Sequence, residues 1–182
     1  MSQKDKVTKK ETKVEVKIGS GEPKFVRAKA EKDLVSIVDH NIDAFSDTPD
    51  FSWNLEEIKQ EIKQGWEVYA VYLNNEIIAA AFLKEEDEQL LTKNTSIKMT
   101  FQGSGHSHKI KEFFEKEARG REVAELVHFC RIDNFRMYSL NEGHGYLKTA
   151  RKLGPNGELV EWVKRLREIK NVKIKKLIAK KR

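Results

Sequence analysis

Cysteine is almost missing from this chain: Cys130 is the single one in 182 residues. An internal disulfide is therefore excluded, and a reducing compartment, the cytoplasm, is the expected setting. Long apolar runs are missing as well. No stretch approaches the roughly 20 residues of a membrane-spanning helix, and the lysine-rich N-terminus has no apolar segment of the kind a secretory signal needs. There is no internal repeat and no common metal-ligand spacing. His106 and His108, even taken with His128, Cys130 and His144, fit no zinc pattern, so no metal is expected. Cys130 has no evident base near it in sequence and reads as a small core residue rather than a nucleophile.

What the chain does have is charge, unevenly placed. The formal net charge is +6. Residues 1–17 carry six lysines against three acids, and residues 164–182 carry ten Lys or Arg against one acid. The stretch between is net negative. That argues against a nucleic-acid-binding core and leaves the two ends as the only contacts for nucleic acid or another polyanion. The expected organisation is a basic, largely flexible tail over 1–23, one globular domain over 24–165, and a basic tail or amphipathic helix over 166–182. The last segment could meet nucleic acid, an anionic membrane surface or another subunit, a homodimer partner included.

Hydrophobic periodicity and turn residues predict strands over 24–30, 66–73, 76–84, 90–101, 123–131, 146–152 and 158–165, and helices over 31–45, 55–64, from the glycine turn to 118, and 134–142. Asn54 reads as the N-cap of the second helix. Asn74-Asn75 tolerates the positive φ of a tight hairpin. Gly154-Pro155-Asn156-Gly157 marks a final hairpin, with one long helix over 159–177 as the alternative.

The stretch 97–118 organises the rest. Ile97, Met99 and Phe101 alternate with Lys98 and Thr100 as in a half-buried strand. Gln102-Gly103-Ser104-Gly105-His106-Ser107 then forms a glycine turn. Beyond it Ile110, Phe113, Phe114 and Ala118 fall at helical spacing, which leaves Lys109, Lys111, Glu112 and Glu115 for solvent. A strand passing through such a turn into a helix presents converging unpaired N–H groups and the positive end of a helix dipole, a seat for phosphate or pyrophosphate.

This hexapeptide resembles the Gln/Arg-x-x-Gly-x-Gly/Ala signature of the GNAT superfamily of N-acetyltransferases, with Ser107 in the last small position. A second segment is similar to the family's next strand-to-helix element: Asn134 opens it, and Gly145-Tyr146 stands eleven and twelve residues on, where the family has Gly-Phe. The resemblance spans about 24–165. It implies an α+β (three-layer α/β) fold, with a central mixed, mostly antiparallel sheet of about seven strands flanked by helices and splayed between the fourth and fifth strands.

It also implies a function: transfer of an acetyl group from acetyl-CoA to a primary amine of a small molecule or a protein, by direct attack on the thioester. Ile97 and Met99 would then line the pantetheine arm, with an N–H near Met99 stabilising the oxyanion. Gln102, Gly103, Ser104, Gly105, His106 and Ser107 would hold the pyrophosphate. Asn134 would contact the cofactor or simply cap its helix. The family's acid, a Tyr seven residues after that Asn, is replaced here by Asn141, so Tyr138 is the expected substitute and Tyr146 the second choice. His128 is the candidate base, with Glu85 and Glu86 behind it. Asp47, Asp50 and Trp53, beside Phe51, give the loop between the first helices an acidic and aromatic character suited to a cationic acceptor. The competing reading is a GNAT-fold protein without catalysis, serving as a binding or assembly component through its basic tails.

Overall fold

The computed structural model describes residues 21–44 and 54–167. Asp47, Asp50, Phe51 and Trp53, and all but a few residues of the two basic tails, lie outside the described residues. Chain order is β1 (Lys24–Arg27), α1 (Glu31–Ala44), α2 (Leu55–Lys63), β2 (Glu67–Leu73), β3 (Glu76–Glu86), β4 (Gln89–Asn94), a 3₁₀ turn (Met99–Phe101), α3 (His106–Gly120), β5 (Glu125–Arg131), α4 (Phe135–Gly143), β6 (Leu147–Leu153) and β7 (Leu159–Arg165).

The sequence has the element order right, and the chemistry of the turns explains why. Asn74 and Asn75 sit at φ of 50° and 65°, the double left-handed geometry that folds β2 back on β3. Gly154 and Gly157 take φ of 86° and 66° and close the β6–β7 hairpin, so residues 159–165 are strand and the long-helix reading fails there. A Cβ on Gly154 would lie 2.3 Å from the Glu158 carboxylate.

The seven strands form one sheet in the order β1-β2-β3-β4-β5-β7-β6. Every neighbouring pair is antiparallel except β4–β5, which is parallel. Alternating side chains divide the sheet into two apolar faces. On one, Leu34, Ile37 and Val38 of α1 and Ile58 of α2 pack on Val68, Ala70, Ala80 and Phe82. On the other, Ile110, Phe114 and Ala118 of α3 pack on Val71, Leu83, Leu126, Cys130 and Trp162. The result is three layers with α3 and α4 on the same side.

Two expectations need correction. The polar connection over 85–89 shrinks to a two-residue turn, because β3 continues through Glu86 and Asp87 adopts φ 53°. The strand expected over 90–101 stops at Asn94, so Ile97, Met99 and Phe101 do not form a strand. Thr95 is the reason. Its backbone N–H donates to the Ala80 carbonyl at 2.9 Å, and its hydroxyl accepts from the Ala80 N–H at 2.9 Å. A side chain has replaced a carbonyl in the ladder, and the next β3 contact is Lys98 N–H to Ile78 O at 2.8 Å. Three residues of this segment thus span two of β3, which is a bulge.

Candidate active site

Two departures from regular pairing meet at the C-terminal end of β4. The first is the parting of β4 from β5. They pair from Gln89↔Glu125 to Thr92↔His128 and no further. Beyond that point β4 stays with β3 through Ala81↔Asn94, while β5 stays with β7 through Arg131↔Leu159. A wedge opens between them, bounded by the bulge at Thr95–Lys98 and by Phe129, Cys130 and Arg131. Exposed strand edges in such a wedge can receive an extended chain as an added strand would.

The second departure is the N-terminus of α3. Gly103 and Gly105 hold φ of 79° and 81°, and a Cβ at either would meet nothing within 4 Å. The glycines answer to backbone conformation and not to crowding. Gly105 is the N-cap and supplies no side chain, and no acidic residue stands in the first helical turn. The first helical hydrogen bond is His108 N–H to Gly105 O at 3.0 Å. A helix start leaves its first amides without intrahelical partners, and the dipole there favours an anion. Gln102 braces this turn: its Nε2 donates to Ile97 O at 2.8 Å. Ser104 and Gly105 are exposed and Ser107 is partly so, whereas His106 is buried. Met99, 73% exposed, lies on the 3₁₀ turn at the mouth of the wedge.

His128 is the last β5 residue paired with β4, on the α3 side of the sheet. Thr92 Oγ1 spends its proton on Val127 O at 3.0 Å, so at 3.3 Å it accepts from His128 Nδ1–H. That leaves Nε2 as the basic nitrogen. Burial, then the nearby Lys111, holds the imidazole well below the ordinary histidine range, so it is neutral.

No protein-family model and no curated protein matches the sequence. Solved structures do match in three dimensions. The ribosomal-protein-S18-alanine N-acetyltransferase of Escherichia coli superposes with a TM-score of 0.67 at 14% identity, over 82% of this chain and 97% of that one. A ribosomal-protein-alanine N-acetyltransferase from Brucella melitensis gives 0.62 at 17%, over 78% and 99%. A putative acetyltransferase from Salmonella typhimurium, solved with its cofactor acetyl-CoA, gives 0.61 at 16%, over 82% and 97%. The fold is that of the GNAT acetyltransferases. The wedge between β4 and β5 and the start of α3 thus sit within a GNAT-type fold.

Behind the GNAT wedge, between α3 and α4, lies a group of buried polar side chains. Asn134 caps α4, its Oδ1 accepting from Met137 N–H at 3.1 Å. Asn141 is 0% exposed, and neither its Oδ1 nor its Nδ2 has a hydrogen-bond partner. The Tyr138 and Tyr146 hydroxyls are likewise buried without partners. The Tyr138 ring meets Trp162 edge-on at 5.0 Å. Burial raises both phenols above the usual tyrosine value. It also raises the Cys130 thiol, which keeps that residue protonated and inert near neutrality.

The sequence missed the member of this group that matters most. Lys111, assigned to solvent by helical spacing, is 1% exposed and its Nζ has no hydrogen-bond partner. It stands 4.7 Å from the Tyr146 ring centroid, and burial brings it down to about pH 7. The available signal was its place next to Ile110 and three residues before Phe114, inside a stripe wider than the apolar residues alone define. His108, by contrast, is exposed, with Nδ1 2.9 Å from His144 Nε2. Among the described residues, no three His, Cys, Asp or Glu side chains are grouped to hold a metal ion. Glu85 and Glu86 pair with Leu90 and Gln89 in the β3–β4 ladder, at the closed end of the β4–β5 pair. They lie away from the wedge.

Proposed function

We propose that the protein is an acetyl-CoA-dependent N-acetyltransferase that passes the acetyl group directly to a primary amine. The observation that carries this reading is the opening of β4 from β5 immediately beside an uncapped helix N-terminus. The wedge suits a pantetheine arm, and the turn that opens α3 suits a diphosphate, which is the order of these groups along acetyl-CoA. The bulge gives the strand-edge role to Ser96 and Ile97, whose amides fall between the Thr95 and Lys98 contacts with β3. One of these, in place of the expected donor near Met99, would polarise the thioester carbonyl.

Positioning does most of the work in such a transfer. The acceptor nitrogen must reach the carbonyl carbon unprotonated, and neutral His128, with Nε2 as its free base, is the candidate to take its proton directly or through water. Its depressed affinity for protons makes it a relay rather than a strong base. The departing thiolate needs a proton of its own, and the buried polar group that includes Tyr138 and Tyr146 is the candidate source. The negative charge of the chain between its basic ends favours a cationic acceptor, and the cytoplasm is the setting that matches a single unpaired cysteine.

The test uses the full chain. Acetyl-CoA should raise the melting temperature by mass action on the native state, and a panel of amines (an alanine-initiated peptide, a lysine peptide, a polyamine, an aminosugar) should release free CoA thiol with at least one member. Binding without release by any amine would leave a non-catalytic acetyl-CoA-binding protein. An unchanged melting temperature would remove the donor site itself.

A further inference from the structure

The buried group between α3 and α4 contains more unpaired polar atoms than packing requires. Lys111 Nζ, Tyr138 Oη, Asn141 Oδ1 and Nδ2 and Tyr146 Oη are all enclosed and all without partners. Unpaired groups of this kind each cost free energy in the folded state. Tyr146 and Trp162 belong to the apolar cluster that α3 buries against the sheet, and Tyr138 packs against it. Lys111 is the extreme case. Its natural helical partner is Glu115, one turn on, but that carboxylate is held by Lys164 of β7 at 2.5 Å, with His144 Nδ1 at 3.6 Å. The ammonium is therefore left against the Tyr146 ring.

We propose that Lys111, buried on the inner face of α3 against the Tyr146 ring, is the proton donor to the CoA thiolate as it leaves. This rests on the N-acetyltransferase reading and names the group that completes it. When the acceptor nitrogen bonds to the acetyl carbon and the C–S bond breaks, the sulfur takes a proton from the Lys111 ammonium and departs as the thiol. Lys111 is left as a neutral amine and regains its proton from water. The proton shed by the acceptor leaves separately, through His128 or solvent.

The choice among the buried groups follows from matching acid to leaving group. An efficient proton donor titrates near the working pH. Burial moves the Tyr138 and Tyr146 phenols upward, away from the working pH. Asn141 has no labile proton, and the Trp162 indole is a donor that does not titrate. Lys111 changes charge near pH 7. The titratable groups facing it are His128 and Cys130 on β5, and His144 and Tyr146 after α4. Lys111 alters the titration of His128, Cys130 and His144 in turn, which marks their closeness. Glu115 is the acid of its own helix on that side, already committed to Lys164.

Lys111→Met keeps the length and removes the proton, and it should fold at least as well, since a buried unpaired amine becomes apolar. With acetyl-CoA and the best amine of the panel, its kcat should drop by about 100-fold. The decline of wild-type kcat above about pH 7, as Lys111 loses its proton, should disappear from the variant's profile. Acetyl-CoA affinity, read by calorimetry, should stay within about threefold of wild type, because a donor in the chemical step is not a binding contact. Wild-type kcat and an unchanged alkaline limb in Lys111→Met would overturn the proposal while leaving the transferase reading standing. A wild type that releases no CoA with any amine would instead bring down that reading. Selective NMR titration of the Lys111 side chain supplies an independent check: a midpoint near the ordinary lysine value overturns the assignment, and one near neutrality supports it.

Discussion

Helices α2 and α3 lie on opposite faces of the same sheet and are finished in opposite ways. In α2, Asn54 caps the first turn by accepting from Glu57 N–H at 3.0 Å, and Glu56 and Glu57 answer the dipole. One of its two lysines, Lys59, is engaged by Glu31 at 2.8 Å and Glu56 at 3.4 Å, and the helix's buried side chain is the apolar Ile58. In α3 the cap is Gly105, the first turn carries no acid, and Lys111 is buried without a partner. Of the four described helices, α1 has Asp33 accepting from the Lys29 and Ala30 amides, and α4 has Asn134. The polar ends of α2 are satisfied within the protein, so the helix acts as packing. The C-terminal end of α3 is satisfied as well, by the amides of Arg121, Glu122 and Val123, but its N-terminal end has no side-chain cap.

The largest effect expected of this contrast is in stability against pH. The unfolded chain binds a proton at Lys111 below about pH 10.5, the folded chain only below about pH 7. The unfolded state therefore holds more protons between these values, and stability falls as pH is lowered from about 10.5 to about 7, with no further change below. Lys111→Met should be more stable than wild type by on the order of 4 kcal/mol at pH 7, and most of that gap should close by pH 10. Urea unfolding at the two pH values measures it. An equal gap at both would mean that Lys111 is not the buried ionisable group it is taken to be.

Next in size is Thr95→Val, which leaves the buried Ala80 N–H without its acceptor and removes the cause of the bulge. A loss of about 2 kcal/mol is expected, together with weaker acetyl-CoA binding. Ser107→Glu sharpens the comparison by giving α3 the acid that α2 already has. It should stabilise the ligand-free protein by about 0.5 kcal/mol through the dipole, yet weaken acetyl-CoA binding by tenfold or more, because a carboxylate would face the diphosphate. Thermal melts with and without acetyl-CoA read both signs at once. The smallest change is Asn54→Ala: about 1 kcal/mol of stability lost, with acetyl-CoA affinity unchanged. A drop in affinity there would erase the distinction between the two helices.

Much of the fold was legible before any coordinates. Asn74-Asn75, the Gly154–Gly157 turn and the alternating strands place eleven of the helices and strands in their observed order, since each depends on a few neighbouring residues. The glycine turn and the Asn134 cap were legible for the same reason. Failures came where a distant group intervened. Residues 97–101 have the alternation of a strand, and Ile97 and Phe101 are indeed buried, but Thr95 draws its partner from β3, fifteen residues earlier, and the register is lost. Asn141 was read only as a missing acid, although it is also the most enclosed amide of α4.

The sequence by itself determined the elements, their order and the naked glycine entry to α3, because hydrophobic period and permitted φ are local properties. Only the tertiary structure decided where β4 leaves β5, that Lys111 faces inward, and that Glu115 is taken by Lys164 before Lys111 can use it. Those outcomes depend on which hydrogen-bonding group reaches a partner first across the sheet, and on how much water the packing leaves around a charge. Neither is written at any single position of the chain.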